Sequence, residues 1–142
     1  MPAPPSRRRS PAAPITARTP ARARRPGRQA VVRFRLRITV GDLIAIGPGK
    51  ISLIEAIEQT GSITAAARRL DMSYRRAWLL LDELNRSLRA PAVESAKGGA
   101  LGGGSTLTDT GRALVALYRR IEQTAEQACR GDIDRMLELL AR

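Results

Sequence analysis

The chain has 142 residues, enough for one small domain plus an appendage. It carries 25 basic against 13 acidic residues, a formal net charge of +12, with no histidine and one cysteine, Cys129. That composition excludes zinc fingers, disulfide frameworks and Cys–His nucleophile pairs, and it implies an anionic partner, either nucleic acid or an acidic membrane surface.

No apolar run approaches the roughly 18 residues of a membrane span, and no signal-peptide core is present. A cytoplasmic protein in a reducing compartment, with no membrane partner, is expected. Residues 1–30 hold eight of the arginines and no acid, set among prolines and alanines. Such a segment cannot offset its backbone entropy by burial, so a disordered basic tail is predicted. Three readings of it stand. It is a basic arm adding sequence-independent phosphate contacts, an inert or misassigned start before Val31 or Val32, or an arginine-rich targeting peptide.

Residues 32–40, VRFRLRITV, alternate strictly. Val32, Phe34, Leu36, Ile38 and Val40 share one face; Arg33, Arg35, Arg37 and Thr39 share the other. Period two predicts a half-buried strand with a basic outer face. Gly47-Pro48-Gly49 then turns the chain into an amphipathic helix bearing Ile51, Leu53, Ile54 and Ile57, closed at Thr60-Gly61. GPGKI is not a phosphate-binding loop, because the upstream glycine is missing and Ile51 stands where a Ser or Thr would hold magnesium.

Ser62 is a good N-cap, and Ile63, Ala66, Ala67 and Leu70 line one face of a short helix. Asp71-Met72 interrupt it and Ser73 caps again. From Tyr74 the apolar positions Ala77, Leu81, Leu84 and Leu88 recur at helical spacing, giving a longer helix that ends before Pro91. The small pair Ala66-Ala67 lets two helices joined by so short a turn cross closely, which is a helix-turn-helix. Two arginine pairs, Arg68-Arg69 and Arg75-Arg76, stand around that turn. Such clustering suits a shared polyanionic partner better than simple solvation.

AVESAK, GGALGGG and STLT read as two short strands around a glycine-rich loop. A hairpin directly after a helix-turn-helix is a wing. Thr108 then caps a long helix with the stripe Leu114, Leu117, Tyr118 and Ile121, and Gly131-Asp132 separate off a last helix over 132–142. That much amphipathic helix exceeds what a small core needs and points to a dimer surface. Glu55, Glu58, Asp82 and Glu83 read as solvent-facing positions beside arginines. No catalytic constellation is present, so neither an enzyme nor a cofactor is expected.

Assembled, these residues resemble the N-terminal DNA-binding domain of the molybdate-responsive ModE family of transcriptional regulators, winged helix-turn-helix modules related to the LysR type. The likeness rests on GPGKISLIEAI, GSITAAARRLDMSYRRAW and VESAKGGALGGGSTLTDTG, and covers roughly residues 33–130. SYRRAW and the glycine-rich wing before LTDTG are its more specific parts. The resemblance implies DNA binding and dimerisation, with a link to molybdate-related genes. ModE regulators continue into C-terminal oxyanion-binding domains, and this chain ends at Arg142, about where those begin. Direct molybdate binding is therefore not expected.

In a helix-turn-helix the N-terminal residues of the second helix face base edges in the major groove. Tyr74, Arg75 and Arg76, following Ser73, occupy that turn, and an arginine fork can bond both O6 and N7 of guanine. The alternative for both arginines is solvent or phosphate. Partial burial is expected for Trp78. Ser62, Thr64, Arg68 and Arg69 of the first helix are candidates for phosphate contact, or for a solvated face. Lys97, Gly98 and Gly99 of the wing are placed to approach phosphates or the minor groove, or else form a flexible tip.

The fold expected is mainly α with a small β-hairpin wing. It comprises the tail over 1–30, a winged helix-turn-helix over 31–110 and C-terminal dimerisation helices over 111–142. The expected function is sequence-specific transcriptional regulation by a nucleoid-associated homodimer on double-stranded DNA. The alternative is a protein-interaction module that keeps the fold and recruits a partner regulator.

Overall fold

The computed structural model describes residues 29–95 and 104–141. The expected basic tail, apart from its last two residues, and the wing residues Lys97, Gly98 and Gly99 lie outside the described residues. In chain order the elements are β1 (Ile38–Val40), β2 (Leu43–Ile46), α1 (Pro48–Thr60), α2 (Ile63–Arg69), α3 (Tyr74–Ser87), β3 (Val93–Ser95), β4 (Ser105–Leu107), α4 (Asp109–Ala128) and α5 (Arg130–Glu138).

The first element departs from the expected nine-residue strand. Only Ile38–Val40 is strand, paired antiparallel to β2 across the two-residue turn Gly41-Asp42. A strand exists only as far as its partner reaches. Here β2 ends at Ile46, opposite Ile38, and Gly47-Pro48 already opens α1, so residues 31–37 have no ladder to join. The expected inner face is correspondingly incomplete: Leu36 packs on the core, whereas Ile38 and Val40 are exposed. Register shifts between Ile38 and Thr39, which leaves Ala45 of β2 unpaired in the ladder and buried.

The three central helices are set by their termini. Pro48 occupies the first turn of α1, where its missing N–H costs nothing. Gly61 ends that helix in the left-handed region at φ 76°, its N–H reaching the Ile57 carbonyl at 2.7 Å. The Ser62 hydroxyl oxygen accepts from the Ala65 N–H at 3.0 Å and that of Ser73 from the Arg76 N–H at 3.1 Å, so both serines are caps. Between α2 and α3 the chain reverses through Asp71, the one non-glycine residue with positive φ among those described, at 55°. A short polar side chain tolerates this conformation far better than a branched one.

Ile51, Leu53, Ile54 and Ile57 of α1 and Leu84 of α3 are fully buried, with Ala66, Ala67 and Ala77 where α2 and α3 cross α1. Each full burial of a large aliphatic contributes about 1.5–3 kcal/mol. One charge sits among them. Lys50 is 4% exposed; its ammonium donates to the Ile44 carbonyl and pairs with Glu83 at 3.0 Å, joining β2, α1 and α3.

β3 and β4 pair antiparallel, Val93 opposite Leu107 and Ser95 opposite Ser105. Thr108 caps α4 by accepting from the Gly111 N–H at 3.1 Å, while its hydroxyl donates to the Pro91 carbonyl at 2.6 Å. The apolar stripe of α4 divides. Tyr118 is buried and donates to the Leu36 carbonyl at 2.9 Å, Leu114 and Val115 pack on the core, and Leu117 and Ile121 stay exposed. The break before the last helix falls at Cys129, which ends α4 and starts α5, and not at Gly131-Asp132. Gly131 takes a negative φ inside α5, at a propensity cost of about 1 kcal/mol.

Two acids expected to face solvent are instead structural. Glu55 receives a two-pronged bond from Arg119, at 2.7 Å from Nε and 2.6 Å from Nη2, which ties α1 to α4. This pair, followed by Glu122, holds the Arg119 guanidinium well above its ordinary pKa against the opposing effect of burial. Glu83 neutralises Lys50.

Candidate nucleic-acid interface

The helix-turn-helix presents its basic side chains on a surface the core does not use. On α3 the buried residues are Ala77, Leu81 and Leu84. At 3.6 residues per turn the opposite side is the row Arg75, Leu79, Asp82 and Arg86. The two halves of that row differ. Asp82 and Arg86 pair with each other at 2.7 Å, so the C-terminal half is internally neutralised. Arg75 and Arg76, in the first turn, make no side-chain ion pair or hydrogen bond among the described residues and stand exposed. They line a shallow groove with Ser73, Leu79, Leu80 and Glu83.

Arg68 and Arg69 lie in the last turn of α2, where cations suit the helix dipole. Their surroundings separate them. Arg69 donates to Gln59 of α1 at 2.6 Å, whereas Arg68 has no such partner among the described residues. Arg68 is thus the more available of the two for a phosphate. Thr64 is exposed on the same helix. Ser62 and Ser73 spend an oxygen lone pair on their caps, leaving the hydroxyl proton for an outside acceptor.

Tyr74 and Trp78 follow one another along the flank of α3, 54% and 46% exposed. Against the partial burial expected for it, Trp78 stands exposed, on the flank of α3 outside the buried Ala77, Leu81 and Leu84 stripe. Leu79, which the sequence analysis does not single out, is 46% exposed on the outward row itself. Helical arithmetic could have singled it out: with Ala77, Leu81 and Leu84 turned inward, position 79 faces out.

The base of the wing is fixed to this helix by a residue with no sequence signal. Asn85 of α3 accepts from the N–H groups of Ala92 at 2.9 Å and Val93 at 3.4 Å, and donates to the Val93 carbonyl at 3.2 Å. The side-chain amide behaves as a neighbouring strand would. On the other side, Ser105 donates its N–H to the Gly61 carbonyl at 2.9 Å, so β4 is held at the α1–α2 turn. Among the described residues no group of three or more acidic, His or Cys side chains could hold a metal, and no helix is long and apolar enough to cross a membrane.

Residues 49–112, from α1 through the start of α4, match the family model for the bacterial regulatory helix-turn-helix protein, lysR family. The chain carries a LysR-type helix-turn-helix domain. Around that domain it is similar to ModE proteins. It is 40% identical over 110 residues to the molybdenum transport protein ModE of Azotobacter vinelandii, a match spanning 78% of this chain and 38% of that one. It is 38% identical over 81 residues to the DNA-binding transcriptional dual regulator ModE of Escherichia coli strain K12, spanning 57% of this chain and 31% of the relative. The match therefore spans about a third of these relatives' length. A solved CbnR DBD–DNA complex aligns with 63% of this chain and 95% of that one at 26% identity, TM-score 0.48. Within the LysR-type domain, Arg68, Arg75 and Arg76 stand exposed around the α2–α3 turn and make no side-chain hydrogen bond or ion pair among the described residues.

Proposed function

We propose that this protein binds double-stranded DNA through its LysR-type domain and acts as a transcriptional regulator. The observation that carries the proposal is the set of unpartnered arginines, Arg68, Arg75 and Arg76, gathered at the two helix ends that meet in the turn, while most other arginines within the helices are paired with acids. Arg75 and Arg76 read base edges and Arg68 holds phosphate, with the wing alongside. The names of the ModE relatives support a role in molybdenum-related gene control.

The regulator acts as a homodimer. Leu117 and Ile121 on α4, with Met136, Leu139 and Leu140 at and just beyond the end of α5, form an exposed apolar set that a second copy covers. A protein partner in place of DNA is the competing reading, and one experiment separates them. Duplexes selected from a random-sequence library, and scrambled versions, are titrated with wild type, Arg75→Ala, Arg76→Ala and Arg68→Ala at several salt concentrations. The recognition-helix changes should cost about 1–3 kcal/mol on the selected duplex and little on scrambled DNA. Arg68→Ala should weaken both alike and reduce the salt slope by about 0.9. Equal losses on both duplexes for Arg75→Ala and Arg76→Ala would place the wrong turn of the helix in the groove.

A further inference from the structure

The outward side of α3 carries apolar surface that arginine readout does not explain. Leu79 is 46% exposed one helical turn after Arg75, in the groove lined by Arg75 and Arg76, and outside the buried cluster. Trp78 and Tyr74, 46% and 54% exposed, stand on the adjoining flank of the same helix, across Arg75 from Leu79. Isolated exposed leucines are common on protein surfaces. Three large side chains on the exposed part of one helix, beside its two unpaired cations, are a recognition surface.

The chemistry available in a DNA major groove narrows what this surface meets. Guanine, adenine and cytosine edges offer hydrogen-bond donors and acceptors, which a leucine leaves unsatisfied. Thymine alone projects a methyl group, and apolar side chains discriminate it by burying that methyl. We infer that Leu79 is a specificity-determining residue that reads the C5-methyl of thymine, one helical turn along from the base contacts of Arg75, with Trp78 closing the flank against water. The inference rests on the DNA-binding reading above and adds to it a base preference that hydrogen bonding cannot supply. Asp82 and Arg86, paired with each other beyond Leu79, set the far limit of the contact.

The probe is the duplex enriched from a random-sequence library by the full chain, with each thymine replaced in turn by deoxyuridine. That exchange removes the methyl and leaves every hydrogen-bonding group in place. At one or more positions the wild type should lose about fourfold in affinity, the effect of burying one methyl group. Leu79→Ala should bind thymine and uracil duplexes equally at that position, and the loss should persist in Arg76→Ala. Because Leu79 is outside the core, Leu79→Ala should melt with the wild type, and Leu79→Met should restore part of the discrimination. A uracil penalty of the same size in wild type and Leu79→Ala, or none in either, would overturn the inference while leaving DNA binding intact. If the full chain enriches no duplex at any salt concentration, the DNA-binding reading falls, and this inference with it.

Discussion

Gly111→Ala pits two effects of opposite sign against each other at the place where α4 meets the wing. Gly111 is buried in the first turn of α4. Replacing a helical glycine by alanine ordinarily stabilises by up to about 1 kcal/mol, and less near a helix end. Here, however, the added Cβ would stand 2.1 Å from the Ala92 carbonyl oxygen, 3.0 Å from its carbon and 3.2 Å from Leu107 Cγ. An oxygen–carbon contact needs more than 3 Å, so backbone must move by about an ångström. That same oxygen accepts the Thr108 N–H at 2.9 Å, a bond the movement strains. Overpacking typically costs 1–3 kcal/mol and a weakened buried hydrogen bond about 1 kcal/mol more. The clash wins, and a net destabilisation of about 2 kcal/mol is expected. Thermal unfolding followed by circular dichroism should show Tm lowered by roughly 5–10 °C. A Tm at or above the wild-type value would refute the reasoning, because it would mean that the junction gives way freely.

Three further outcomes follow from the same geometry. Lys50→Met keeps the buried stem and removes the ammonium, so it should change stability by no more than about 1 kcal/mol; Glu83→Ala strands the charge and should cost about 2–3 kcal/mol, less than for a fully buried pair because Glu83 is 42% exposed. Urea unfolding of the two variants gives the order, and the reverse order would deny that Lys50 is charged in the core. Wild type should sediment as the proposed homodimer and Leu117→Glu combined with Ile121→Glu as a monomer, without lowering Tm, since both side chains are exposed; a monomeric wild type would refute the dimer, and a dimeric variant would locate the interface elsewhere. Burial, with Glu122 second, raises the Tyr118 pKa above its ordinary 10.0. The folded state therefore holds the phenolic proton more tightly than the unfolded chain, and that stability is present below about pH 10 and lost as pH rises through the higher folded value. Tyr118→Phe should cost about 1 kcal/mol at neutral pH through the Leu36 bond and flatten the alkaline loss in urea titrations.

What the sequence made legible was local. The caps at Ser62, Ser73 and Thr108 and the inward spacing of Ala77, Leu81 and Leu84 are decided within one or two turns of helix, and each is found where the pattern puts it. VRFRLRITV failed for the opposite reason: alternation states what a strand would bury but not whether a partner is there to pair. The missing signal was nearby, since Gly41-Asp42 between apolar runs marks a two-residue hairpin whose short second strand limits the first. Lys50, Glu55 and Glu83 were read as solvent-facing or passed over because their partners lie 33 or more positions away or on the hairpin backbone. No periodicity reports a contact of that range.

Those long-range polar contacts have a common geometry. Lys50 joins β2 and α1 to α3; Arg119 joins α1 to α4; Asn85 joins α3 to the wing. Each fixes the angle between two elements that an apolar core of small and aliphatic side chains would otherwise let slide, because hydrophobic contact is nearly indifferent to direction and hydrogen bonds are not. A base reader has more need of that constraint than of stability, since a displacement of about an ångström takes an arginine fork out of register with a guanine edge. Asn85 shows the division most clearly. Its amide does nothing an apolar residue could not do for burial, yet it spends both polar atoms holding the strand that the recognition helix works beside. In the proposed complex the exposed arginines would supply the attraction to DNA, while these inward polar groups hold α3 and the base of the wing at one fixed angle to each other.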